Sequence, residues 1–168
     1  MLQSFKAYND VKRPGPSWFQ GVNVANLVPN VGSGVHRFRP FNGDICSIQD
    51  SARALEQSGA DGVMIGRGAY GRPWLLAQVM HWLKTGQELA DPDLDAQFDL
   101  VLEHYRWMLD HYGEHTGVRM ARKHLAWYTR GLSGSAAFRN KINFIDGSDE
   151  VVRELREFYD PFLSRAAA

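Results

Sequence analysis

Apolar positions follow two different spacings along this chain, and the change from one to the other divides it. From Leu94 onward the spacing is helical throughout: Leu94, Phe98, Val101, Leu102, Tyr105, Leu109 and Tyr112 recur at threes and fours up to Gly113. A second helix carries Val118, Ala121, Leu125 and Tyr128, a third is expected over Ala136 to Ile145, and a fourth carries Val151, Leu155 and Phe158. Helices of this kind with short connections make a small helical bundle.

The preceding stretch alternates between elements. Ser47 followed by Asp50 has capping-box spacing, Ile48, Ala52 and Leu55 then share one helical face, and Ser58-Gly59 stops the helix. Gly62-Val-Met-Ile65 is a continuous apolar run bounded by glycines, which predicts a strand buried on both faces of a parallel sheet. It feeds through Gly66-Arg-Gly-Ala69 into a helix that begins near Pro73, carries Trp74, Leu75, Val79, Trp82 and Leu83, and ends near Thr85-Gly86. Trp74 and Trp82 are expected to seal the join to the helices beyond.

Residues 1–40 hold Pro14, Pro16, Pro29 and Pro40 with interspersed glycines and keep neither period, so little regular structure is expected there. Gly86, Asp91, Pro92 and Asp93 interrupt the later periodicity. The organisation predicted is an atypical segment 1–40, an α/β unit 41–90 and an all-α unit 91–168.

Composition adds mainly exclusions. With 44% hydrophobic residues, 12% aromatic residues and five Trp, the chain is globular rather than disordered. Lys and Arg number 19, as do Asp and Glu, so net charge selects neither a nucleic-acid nor a membrane partner. Cys46 alone excludes an internal disulfide, no Cys/His cluster has zinc spacing, and a reducing cytoplasm is expected. No apolar run approaches the roughly 18 residues of a membrane span, and Met1 to Arg13 lacks the apolar stretch of a signal peptide.

Two places could carry chemistry. Asn42-Gly-Asp-Ile45 and Gly66-Arg-Gly-Ala69 flank one helix and one strand, as phosphate-holding loops do after the last strands of an eight-stranded α/β barrel. Arg67 could add charge-assisted hydrogen bonds, and Asn42 and Asp44 could orient the ligand or the loop; ordinary turns at sheet ends are the competing reading. The second place is His115 to Ile145, which has no Asp or Glu but carries Arg119, Arg122, Lys123, Arg130, Arg139 and Lys141. Arg119, Arg122 and Lys123 are spaced to project from one helix face, with His124, Trp127 and Asn140 among the charges, a surface suited to phosphates and exposed bases. The competing reading is a solvated face answered by the acidic segment Asp146 to Glu157. Cys46 at a helix start has no adjacent catalytic partner, and the histidines have no metal-site spacing.

Asn42-Gly-Asp-Ile45, Gly59-Ala-Asp-Gly-Val-Met-Ile-Gly-Arg-Gly-Ala69, Gly71-Arg-Pro-Trp74 and Val118-Arg-Met-Ala-Arg-Lys-His124 together resemble the bacterial B-type tRNA-dihydrouridine synthases, over about Asn42 to Leu163. The resemblance implies an FMN-binding (β/α)8 barrel of TIM type joined to a helical domain that grips tRNA, with NADPH as reductant and uridine in tRNA as substrate. By it, Asn42, Gly43, Asp44, Gly66 and Arg67 would bind the FMN phosphate, and Arg119, Arg122, Lys123, His124, Arg139 and Lys141 would belong to the tRNA surface.

The family's proton-donating cysteine has no counterpart, because Cys46 is in a different loop, so no catalytic residue is assigned. A whole barrel needs about 200 residues, so an incomplete C-terminal portion of one is expected, binding FMN weakly. Pro40 suits no central strand, and residues 1–40 do not resemble the family. Three functional readings follow: a synthase fragment active only with the rest of the barrel, a stand-alone tRNA-binding module, and an inactive remnant.

Overall fold

The computed structural model describes residues 39–166, with side chains to Leu163. The expectation for residues 1–40 therefore lies outside the described residues except at Arg39 and Pro40. Pro40 opens strand β1 (Pro40–Asn42), which pairs in parallel with β2 (Gly62–Met64) in the register Pro40 to Gly62, Phe41 to Val63 and Asn42 to Met64. Proline is tolerated here because the first residue of a strand can do without its N–H. Arg39 before it is tied down by its N–H donating to Asp61 Oδ2 at 2.8 Å.

Helix α1 (Ile48–Ser58) joins the strands. The Ser47 hydroxyl accepts from the Asp50 N–H at 3.0 Å, and Gly59 closes the helix in the left-handed region, so both predicted ends are met by the predicted chemistry. Its buried stripe is Ile48, Ser51 and Ala54, with Ala52 and Leu55 on the half-buried flank. A short 3-10 turn (Arg67–Ala69) and helix α2 (Leu75–Thr85) follow β2. Val63 and Ile65 pack on Ile48, Leu75 and Val79. That covers one face of β2, so Gly62 to Ile65 are half-buried rather than buried on both faces as expected.

Four helices complete the described chain: α3 (Leu94–Tyr112), α4 (Glu114–Tyr128), α5 (Ser135–Ile142) and α6 (Ser148–Ala166). They share one core that includes Val101, Tyr105, Val118, Ala121, Leu125, Ile142, Leu155 and Tyr159. Trp74 also belongs to this core and links it to α2, whereas Trp82 packs with Leu75 and Val79 and takes no part in the join. The segment between α2 and α3 is strapped down: Asp91 Oδ1 accepts from Trp74 Nε1 at 3.0 Å and from Gln78 Nε2 at 2.9 Å. Helix α5 ends at Ile142, three residues short of the expected Ile145, which is buried from a separate turn.

Candidate functional site

β1 and β2 are adjacent and parallel, so the loops after them leave the sheet on the same side. Asn42, Gly43 and Asp44 of the first and Gly66, Arg67 and Gly68 of the second line an open cleft of about 340 Å³. All five positions carried over from the family resemblance meet there, with Gly68 in addition. Gly68 is where the loops touch: a Cβ at this position would lie 2.1 Å from the Ile45 carbonyl oxygen. Gly66 is the opposite case, with nothing within 4 Å of the place its Cβ would take.

Arg67 reaches across the cleft to an ion pair with the Asp44 carboxylate. Both side chains are largely exposed, so the pair contributes at most about 1 kcal/mol, and its effect is to set where the guanidinium sits. The turn's own hydrogen bonds run from Ala69 N–H to the Gly66 carbonyl (3.1 Å) and from Tyr70 N–H to the Arg67 carbonyl (3.0 Å). The N–H groups of Arg67 and Gly68 precede these and have no acceptor within the turn. Cys46 is exposed at the start of α1, and its N–H donates to Asp50 Oδ2 at 3.1 Å.

The cationic residues divide by environment. Arg119 and Lys123 are exposed on α4, and Lys123 Nζ lies 4.9 Å from the Trp127 ring centroid. Arg122 does not project with them. Its side chain is only 20% exposed, and it donates to the Ile145 carbonyl and to Asp146 Oδ1, each at 2.9 Å. Lys141 pairs with Glu154 at 2.5 Å, a hydrogen bond that raises its pKa. The acidic segment thus answers these two cations, while half-buried Arg139 reaches Ser135 Oγ at 3.4 Å.

His124 is half-buried, edge-on to His104 (5.2 Å between centroids) and to Trp127 (5.1 Å). Burial lowers its pKa, and Lys123 lowers it further. Such a ring is neutral near pH 7 and offers a hydrogen bond rather than a charge.

The cleft and the cationic helix are physically connected. Tyr70, following the second loop, stacks on Trp127 with centroids 4.0 Å apart and planes 13° from parallel. Gly71, at φ +73°, passes so close that a Cβ would meet the Trp127 carbonyl oxygen at 2.5 Å. Trp127, expected to be available to bases, therefore has one face covered by Tyr70. Sequence reading missed Tyr70, and it missed Phe144, which stands 87% exposed after α5. Among the described residues no group of three or more His, Cys, Asp or Glu could hold a metal ion, and no helix is long and apolar enough to cross a membrane.

The sequence that builds these features is similar to that of known proteins. A model of the dihydrouridine synthase (Dus) family matches residues 40–165. The probable tRNA-dihydrouridine synthase of Rickettsia bellii is 49% identical over 124 residues, covering 74% of this chain and 38% of that protein. That of Rickettsia conorii is 50% identical over 118 residues, 70% of this chain and 36% of that protein. tRNA-dihydrouridine synthase B of Xanthomonas axonopodis pv. citri is 42% identical over 123 residues, 73% of this chain and 37% of that protein. The chain spans a little over a third of the length of these relatives. The matched span takes in both cleft loops, the Tyr70–Trp127 junction and the helices beyond, and on that breadth of likeness the chain belongs to the dihydrouridine synthase family.

Proposed function

We propose that this chain supplies the FMN-phosphate loops and the tRNA-gripping helices of a cytoplasmic synthase that reduces uridine in tRNA to 5,6-dihydrouridine with NADPH as reductant. In this reading residues 41–90 are the C-terminal portion of a TIM-type barrel and residues 91–168 a helical tRNA-binding bundle. The tRNA substrate is taken from the names of the relatives. The observation that carries the cofactor assignment is the cleft at the C-terminal ends of two parallel strands, where ligands of such sheets bind.

The residues present fit a phosphate ester. Gly66 leaves space for close approach of the backbone, Arg67 supplies a guanidinium, and the N–H groups at the start of the 3-10 turn lack partners within it. Asp44 counts against a bare anion, and its role is to hold Arg67 at the mouth of the cleft, with Asn42 beside it. When bound, FMN supplies the hydride that reduces the uracil double bond. Helix α4 would meet the tRNA backbone with Arg119 and Lys123, and His124 would add a neutral hydrogen-bonding edge. Arg122 would act from beneath by fixing the turn at Ile145, and Arg139 and Lys141 would flank that turn from α5.

Titration of FMN and of riboflavin into the chain, followed by flavin fluorescence, tests the cleft. FMN is expected to bind weakly but more tightly than riboflavin. Arg67→Ala should reduce FMN affinity roughly tenfold, the effect of losing charge-assisted hydrogen bonds, and leave riboflavin unchanged. Equal affinity for the two flavins would overturn the assignment. A non-catalytic tRNA-binding module is the second reading, favoured by the core that α3 to α6 share, to which the preceding unit adds Trp74; it predicts tRNA binding without any flavin preference.

A further inference from the structure

The turn after α5 presents an aromatic ring that the core does not use. Phe144 is 87% exposed, against 46% for Met120, the next most exposed of the large apolar side chains described. The backbone beneath it is anchored on both sides. Its N–H donates to the Lys141 carbonyl at 3.2 Å, its neighbour Ile145 is buried, and Arg122 of α4 donates to the Ile145 carbonyl at 2.9 Å.

The surroundings are polar, with charges of both signs: Lys141 is paired with Glu154, and Glu150 and Glu157 are close enough to act on it. Asn140, Lys141 and Asn143 are exposed beside the ring along the chain, and Arg119 lies exposed one helical turn before the Arg122 anchor. From His115 to Ile145 there is no acidic residue, and Asp146 just beyond is already engaged by Arg122. A protein partner would favour a contiguous apolar patch. A single aromatic plane flanked by exposed amides has instead the chemistry that single-stranded RNA recognises, a plane for a base and amides for its edge. Of Arg119, Arg122 and Lys141, Arg119 is the cation that no carboxylate of the described residues holds.

We propose that Phe144 is a stacking platform for an unpaired base of the RNA, with Asn140 and Asn143 placed to read the base edge. This rests on the tRNA reading given above and adds to it a contact that depends on a ring rather than on charge.

The test compares binding of unmodified tRNA to wild type, Phe144→Ala, Phe144→Leu and Phe144→Tyr across a salt series. Because the ring is exposed, all four should keep the wild-type circular dichroism spectrum. Alanine and leucine are expected to weaken binding roughly tenfold and tyrosine to restore it. The salt dependence should stay that of wild type, since no phosphate contact is lost. If wild type binds tRNA and Phe144→Ala binds equally well, the stacking contact is overturned and the tRNA reading stands. Failure of wild type to bind tRNA overturns both. A Phe144→Ala variant that loses self-association in sedimentation but keeps its tRNA affinity makes the ring a protein contact, and also overturns the proposal.

Discussion

At the scale of single residues, His104 and Arg122 show how burial changes what a polar side chain does. Arg122 sits in a cationic run, yet its guanidinium is spent on the Ile145 carbonyl and Asp146, and its Nε is buried without a hydrogen-bond partner. Charge reversal there would test stability more than RNA binding. His104 places Nδ1 2.8 Å from the Tyr128 hydroxyl. Burial pushes its pKa down to about 4, and His124 nearby adds to the effect. The unfolded chain, with this group near 6.5, then binds more protons than the folded one between those values. Stability should therefore be lost as pH falls from about 6.5 to about 4, by at most about 3 kcal/mol from this group. Urea unfolding at pH 7 and pH 4.5 measures it, and the difference should shrink in His104→Gln, whose amide can keep the bond to Tyr128. An unaltered difference in that variant would assign the acid sensitivity to other groups.

At the scale of elements, the helix ends were the most legible features, because a cap is a contact between residues a few positions apart. Ser47 with Asp50 opens a helix and Gly86 after Thr85 closes one where the spacing predicts, and Asp93, read in the sequence only as a break in the periodicity, caps α3 through the Ala96 N–H. The end of α5 was not legible. Phe144 and Ile145 continue the apolar pattern, but their hydrogen bonds belong to a turn that drops Ile145 into the core and leaves Phe144 outside. Helix α6 runs through Pro161, which withholds one backbone donor close to the end of the helix.

The junction between the second cleft loop and α4 gives a sharp comparison. Gly71→Ala should cost well over the ~1 kcal/mol of a left-handed backbone conformation alone, because its Cβ would strike the Trp127 carbonyl. Gly86→Ala, at nearly the same φ but with nothing within 4 Å, should cost about 1 kcal/mol. Urea denaturation of the two variants checks this; equal losses would mean that loop and helix do not meet in solution.

At the scale of the whole molecule, a neutral chain can bind a polyanion only through the cations that its own carboxylates leave unpaired. Arg119 and Lys123 are the exposed pair on α4, whereas Lys141 is held by Glu154. Arg119→Ala/Lys123→Ala should lower the slope of log affinity for tRNA against log salt by about 2, and Lys141→Ala should change it little. A slope that falls equally in both variants would show that the Glu154 pair opens on binding. The sequence by itself determined what depends on neighbours in the chain: the helical periods, the caps, the glycine loops and the family likeness they carry. Only the tertiary structure decided which face of β2 is covered, which of Arg119, Arg122 and Lys141 stay free, and that Phe144 stands in solvent. The reason is separation along the chain: Arg122 meets the carbonyl of a residue 23 positions away, and no local period records such a contact.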